Sequence, residues 1–343
     1  MADAALPPWR VTRVTRASRI AMPLGGVLLL ALVAAPWWAD VKTMRTVVEL
    51  AYYLVLAQMW NLLAGYAGLV SVGQQAYVGL GGYALFLLAN HLGVPPLIAV
   101  PLAGLVAALV ALPTAFIVFR LRGAYFAIGT WVVAEVYRLL FAQVGTLGGG
   151  SGQSLPAAIV RGIAADHELR DRLIYWLGLA IAILTIALVH RLLRSRHGLA
   201  LAAIRDSEAA AESVGVDSFR AKLAVYLIAA GGTGLAGGLI FLQKLRISPD
   251  AGFSVLDWTA NVIFIVVIGG IGTIEGPIVG TLIFFVLREL LAGFGSWYLI
   301  ILGGVAIVTM LVAPQGIWGF VGERWGWHLL PLRRRLDMEG VQR

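Results

Sequence analysis

Apolar residues fall in long blocks along almost the whole chain, separated by short polar or glycine-rich stretches. Runs of about 17 to 25 apolar residues can cross a hydrocarbon layer ~30 Å thick as helices. Ten such spans can be drawn, at about 20–39, 47–66, 74–92, 97–119, 124–144, 173–193, 223–243, 258–275, 277–294 and 297–316. Their ends are least defined around 65–82 and 269–280, where glycine clusters interrupt the pattern. The pattern predicts an all-α integral membrane protein of about ten transmembrane helices, some of them broken or glycine-rich.

Composition sharpens this. Of 343 residues 60% are hydrophobic and 13% charged, and the mean hydropathy is +0.87. A soluble enzyme needs less apolar material than that, and disorder, coiled coil and collagen are excluded. The chain has no cysteine, which removes disulfides, thiolate metal sites and thiol nucleophiles. The net charge of +8 is almost all arginine placed beside the apolar blocks, so it reads as membrane orientation and not as nucleic-acid binding. Arg10, Arg13, Arg16 and Arg19 precede the first block as in a signal peptide, but the block ends in Pro36-Trp37-Trp38 without a small-residue cleavage pattern. It is read as a retained first span.

With the N-terminus inside, the inner connections hold 17 lysines and arginines and the outer ones 7. That asymmetry places both ends in the cytoplasm. The expected organisation is a cytoplasmic tail at 1–19, a membrane domain at 20–318 and a second cytoplasmic tail at 319–343. Three connections are long: 145–172 and 244–257 outside, and 194–222 inside.

The inner connection carries the most local signal. Ser207 can cap a helix, Glu208 suits its positive end, Ala209, Ala210 and Ala211 favour it, Glu212 continues it, and Gly215 can stop it. About two turns are marginal alone in water, so the segment needs a docking surface. Two readings stand: a connector lying on the protein's own cytoplasmic face, or a protruding helix that fits a partner's groove and transmits motion.

Two glycine-rich stretches carry a second argument. Gly65, Gly68, Ser71, Gln74, Gln75 and Gly79 form the first, and Gly269, Gly270, Gly272, Thr273, Gly276 and Pro277 the second. Backbone freed from helical bonding inside a bilayer is tolerated only where protein or a water-filled cavity satisfies it. Both stretches are therefore candidate broken helices lining a path, with close glycine-mediated packing as the alternative. Their likeness hints at a five-plus-five internal repeat with the pathway between the halves.

Ionisable residues within the spans are Glu49, Glu135, Arg138, Arg288 and Glu289. Glu135 and Arg138 can pair on one helix face, while Arg288 beside Glu289 suits a membrane interface. The five histidines show no metal-ligand spacing, so no metal is expected. No phosphate-binding loop occurs, and Lys42, Lys222 and Lys244 follow no glycine loop, so energy must come from elsewhere and no cofactor is expected in this chain. Nucleophile-elbow and zinc-protease motifs are missing too.

In order and spacing, the residues resemble the LivM-type permease subunits of branched-chain amino acid ABC importers, to which the urea-type permeases are related. The resemblance covers about 50–318. It rests on Asn61 to Gly68 with Ser71, Gly73, Gln74 and Gly79; Arg122 to Ile128; Ala203 to Ala211 closing at Gly215; Ile247-Ser248-Pro249; and Gly269 to Thr273 with Gly276-Pro277. It implies a multi-pass subunit of the inner membrane that translocates a small polar solute. The implied partners are two cytoplasmic ABC ATPase subunits, a second LivH-like permease, a periplasmic substrate-binding protein and membrane lipid, without nucleic acid. It also implies that Ser207 to Gly215 is the segment coupling to the ATPase. Two departures stand out: the glutamate of the usual EAA pattern falls on Ala209, and Leu199 follows Gly198 where an arginine is expected. A stand-alone ion-coupled secondary transporter is the alternative, and a membrane enzyme has no chemical constellation to support it.

Overall fold

A computed structural model describes residues 9–12, 16–164, 166–295, 297–325, 329 and 335–338. Every predicted apolar block falls on helix. The helices are α1 (Arg16–Ala34), α2 (Val41–Asn61), α3 (Gln74–Asn90), α4 (Pro96–Val118), α5 (Ala124–Gln143), α6 (Ala157–Ile163), α7 (His167–Arg194) and α8 (Arg196–Asp206). They continue with α9 (Glu208–Ser213), α10 (Ser218–Lys244), α11 (Pro249–Gly252), α12 (Asn261–Gly269), α13 (Glu275–Leu291), α14 (Trp297–Val312) and α15 (Gly316–Trp325).

Among the described residues, seven helical stretches are long and apolar enough to cross a membrane: Val41–Tyr66, Pro96–Val118, Ala124–Gln143, His167–Arg194, Ser218–Lys244, Pro249–Gly269 and Trp297–Gly322. This is a multi-pass all-α membrane fold, with fewer full-length spans than the ten drawn from sequence. The shortfall has a physical origin. Helices α3 and α13 have 17 residues each, because each starts only after a glycine break. At 1.5 Å per residue such helices reach about 25 Å, at the lower limit for crossing a ~30 Å hydrocarbon layer. The third is α1, whose shorter apolar part is Pro23–Trp37.

At the centre, α10 packs on α3 and α4, and α2 packs on α7. Small residues let α10 approach its neighbours to backbone distance: a Cβ on Gly104 would lie 2.9 Å from the Gly231 carbonyl, and Gly234 and Gly237 abut α4 and α3 just as closely. Without a hydrophobic driving force between helices in lipid, such close backbone contact is the usual source of helix association. The periphery is apolar outward, with Phe116 and Ile117 of α4, Val132 of α5 and Leu311 of α14 all exposed.

Connections on one side meet each other. Strand β2 (Gln153–Ser154) pairs antiparallel with β3 (Arg246–Ile247), joining the two connections assigned to the outside. Near the chain ends β1 (Trp9–Thr12) pairs with β4 (Arg335–Met338). The 145–172 connection is less loop-like than expected, since it holds α6 and since Asp166 caps α7 by accepting from the Glu168 amide.

Candidate functional site

At its C-terminal end α2 widens into a five-residue π-helical turn, Leu62–Tyr66, and then leaves helix until Gln74 starts α3. Gly68, at φ +69°, supplies a backbone conformation that a side chain would strain. Polar side chains satisfy the freed backbone. Gln74 Nε2 donates to the Leu56 carbonyl at 2.8 Å and to Thr233 Oγ1 at 3.3 Å. Thr259 Oγ1 donates to Gln75 Oε1, and the indole of Trp60 donates to the Ser71 carbonyl at 2.8 Å. Gly79 makes room for the ring of Phe253.

The second break runs between α12, which ends at Gly269, and α13. Gly270 (φ +134°) and Gly272 (φ +74°) turn the chain. Thr273 Oγ1 then donates to the Gly270 carbonyl at 2.9 Å and accepts from the Gly276 amide at 3.0 Å. Pro277 sits in the first turn of α13, where its missing N–H leaves no helical bond unmade. Gly269 lies against the Gly276 carbonyl with no space for a Cβ.

The structure brings the two breaks together. Asn61 spans the junction: its Nδ2 donates to the Thr273 carbonyl at 2.7 Å and its Oδ1 accepts from the Gly272 amide at 2.8 Å. Gln58 Nε2 donates to the Ile274 carbonyl at 2.7 Å. A Cβ on Gly65 would come within 2.6 Å of the Gly272 nitrogen, so nothing passes between the breaks in this arrangement. Gln74 and Ser71 border a cavity of about 10 Å³, room for at most about one water. Broken helices and close glycine packing thus coexist at the same residues. The breaks follow the second and eighth of the ten blocks, an offset of six, so they lend no support to a five-plus-five repeat. Asn61 and Gln58 were given no role in the sequence reading, although an amide pair in an apolar helix was the available signal.

The inner connection folds as two short helices. Ser207 Oγ accepts from the Ala210 amide at 3.3 Å, capping α9. At the other end the Val216 amide donates to the Ala211 carbonyl and the Gly215 amide to the Glu212 carbonyl, with Gly215 at φ +88°. This is the Schellman stop, and it needs glycine for its φ alone. The three alanines do not form one face: Ala211 is buried, whereas Ala209 and Ala210 are exposed. Helix α9 is held from behind, Lys222 Nζ donating to Glu208 Oε1 at 2.5 Å. Arg205 reaches the first break, donating to the Gly65 carbonyl at 3.2 Å. A cavity of about 550 Å³ lies between this connection, the 67–70 segment and the 119–127 turn, with Arg122, Arg205, Glu212 and Lys222 in its wall.

The ionisable residues form two clusters. Arg138 pairs with Glu135 as expected, and also with Asp250 at 2.7 Å. Arg288 does not pair with Glu289. Its guanidinium instead makes a two-pronged pair with Glu49 of α2, at 2.7 and 2.9 Å. Among the described residues no group of histidines, aspartates or glutamates is placed to hold a metal ion.

Residues 42–312 match the family described as branched-chain amino acid transport system / permease component. The chain is 30% identical to the high-affinity branched-chain amino acid transport system permease protein LivM of Escherichia coli, covering 84% of this chain and 73% of that one. It is 27% identical to a probable LivM of Methanocaldococcus jannaschii, over 70% of this chain and 78% of its relative. Against a probable LivH permease of the same organism the identity is 24%, over 72% of this chain and 82% of the other. No solved structure matches the chain. These relatives are transport permeases and not enzymes, and with its broken helices and multi-pass fold the chain belongs to the family of branched-chain amino acid transport permease components.

Proposed function

We propose that this chain is the membrane permease subunit of an ATP-driven ABC importer for branched-chain amino acids or similar small polar solutes. Two cytoplasmic ATPases power it, a LivH-like permease completes the pathway, and an external binding protein delivers the solute. The similarity to both a LivM and a LivH of one organism supports a pair of related permeases.

The observation that carries the reading is the Ser207–Gly215 segment. It is capped at both ends, exposed on one side, and linked through Arg205 to the carbonyl of Gly65 at the first break. Leu199 and Val214 are 75% and 78% exposed in this connection. Both would add apolar area to the contact with the proposed ATPase. Movement of a docked ATPase therefore has a direct lever onto the helix break.

Ten crossings, with both chain ends in the cytoplasm of an inner-membrane protein, form part of the proposal. Pairing of β1 with β4 supports the two ends being on one side. The segments 1–19, 194–222 and 319–343 are then its cytoplasmic parts and 20–318 its membrane domain.

Reconstitution tests this. The purified chain alone in liposomes should give no uptake under sodium or proton gradients, and the full assembly should give ATP-dependent uptake. Robust ion-driven uptake by the chain alone would establish a secondary transporter.

A further inference from the structure

A second cavity, of about 260 Å³, opens between the ends of α2, α10, α12, α13 and α14 opposite the coupling segment. Drug-sized ligands occupy about 300–1,000 Å³, so this volume suits something smaller. Its charges are arranged unusually. Glu49 and Arg288 neutralise each other by their two-pronged pair. Lys244 and Asp257 do not pair with anything of opposite charge. The Lys244 ammonium lies 4.8 Å above the Trp258 ring and is in no ion pair among the described residues. The Asp257 carboxylate accepts only a hydroxyl, from Ser254 at 2.7 Å. The cavity wall thus offers one cation and one anion, each with bonding capacity to spare.

We propose that this cavity is an entry site for the zwitterionic end of an α-amino acid, with Lys244 taking the carboxylate and Asp257 the ammonium. The proposal rests on the amino-acid reading above and names the contacts this chain makes with such a solute. A free ammonium and a free carboxylate in one small cavity select for a ligand with both charges: a solute with one charge leaves the other protein group unmatched. Ammonium–aromatic stacking also holds Lys244 extended along the wall, so it is presented ready for a carboxylate.

The cysteine-free chain makes a direct test available. Leu256 lines this cavity and is 47% exposed, so Leu256→Cys, in the full assembly in proteoliposomes, can be labelled with an impermeant maleimide added outside. Saturating leucine should slow labelling about tenfold, the scale of one charged hydrogen bond lost or gained. Isocaproate, without the ammonium, and leucinamide, without the carboxylate, should protect little. Protection by leucine should vanish when Asp257→Asn or Lys244→Gln is added, with both variants still co-purifying with the rest of the assembly. Unchanged labelling with leucine, or equal protection by all three compounds, overturns the site while ATP-driven leucine uptake leaves the importer reading intact. An assembly that takes up no leucine overturns the amino-acid reading and the site with it.

Discussion

Ala210 and Ala211 are adjacent, yet one is exposed and the other 2% exposed against the body of the protein. Replacing them therefore tests different things. Ala210→Glu puts a charge onto the surface proposed to meet the ATPase, where burying it unpaired costs on the order of 3–5 kcal/mol. Solute-stimulated ATP hydrolysis in the full assembly should fall about tenfold or more, with the permease itself still folded, whereas Ala210→Ser should be near wild type. Ala211→Glu should instead lower the melting temperature of the purified permease. Asp217→Ala should also lower stability, because Asp217 caps α10 by accepting from the Arg220 amide at 2.9 Å. Caps of this kind were readable where signal and partner are close in sequence, as at Ser207 and Gly215. Contacts such as Arg288 with Glu49 lie 239 residues apart, and no local pattern announces them.

At the scale of elements, the two helix breaks were legible because glycine clusters in apolar blocks have few other meanings in a bilayer. What they touch was not legible. Asn61 joins the two breaks across 211 residues and Arg205 joins the 194–222 connection to Gly65 across 140, and nothing in either stretch alone specifies the other. Gly65→Ala should be costly because its Cβ meets the Gly272 backbone as well as Asn61 Oδ1, which is itself held by the Gly272 amide. Overpacking of that kind costs about 1–3 kcal/mol. A lower thermal midpoint of the detergent-solubilised chain would register it, and an unchanged midpoint would show that the two breaks separate freely. Between α2 and α13, a double-mutant cycle on Glu49→Gln and Arg288→Gln should give a coupling of about 1 kcal/mol, since both side chains are about a third exposed.

For the molecule as a whole, alternation of charged connections predicts which segments share a side, and the structure is consistent with it. Residues 67–70, 119–127 and 204–222 border one cavity, while β2 and β3 pair the two connections assigned to the opposite side. Ser154→Cys should accordingly react with an impermeant thiol reagent added outside intact cells, and Val214→Cys should not. Equal labelling of both would reverse the topology. Span number was harder to read, because hydropathy sums cannot tell a 17-residue helix that follows a glycine break from a full crossing. The Asn61 junction carries one more consequence, concerning what happens between strokes of the ATPase. Three side-chain hydrogen bonds and one backbone contact close the gap between the breaks. At about 1 kcal/mol net for each bond, that closure is within reach of one nucleotide cycle in the importer proposed above, where the breaks would border the pathway. Asn61→Ala should make the idle assembly leaky, releasing preloaded leucine from vesicles that contain no ATP, so the same amide that organises the fold would keep an accumulated nutrient from draining back out.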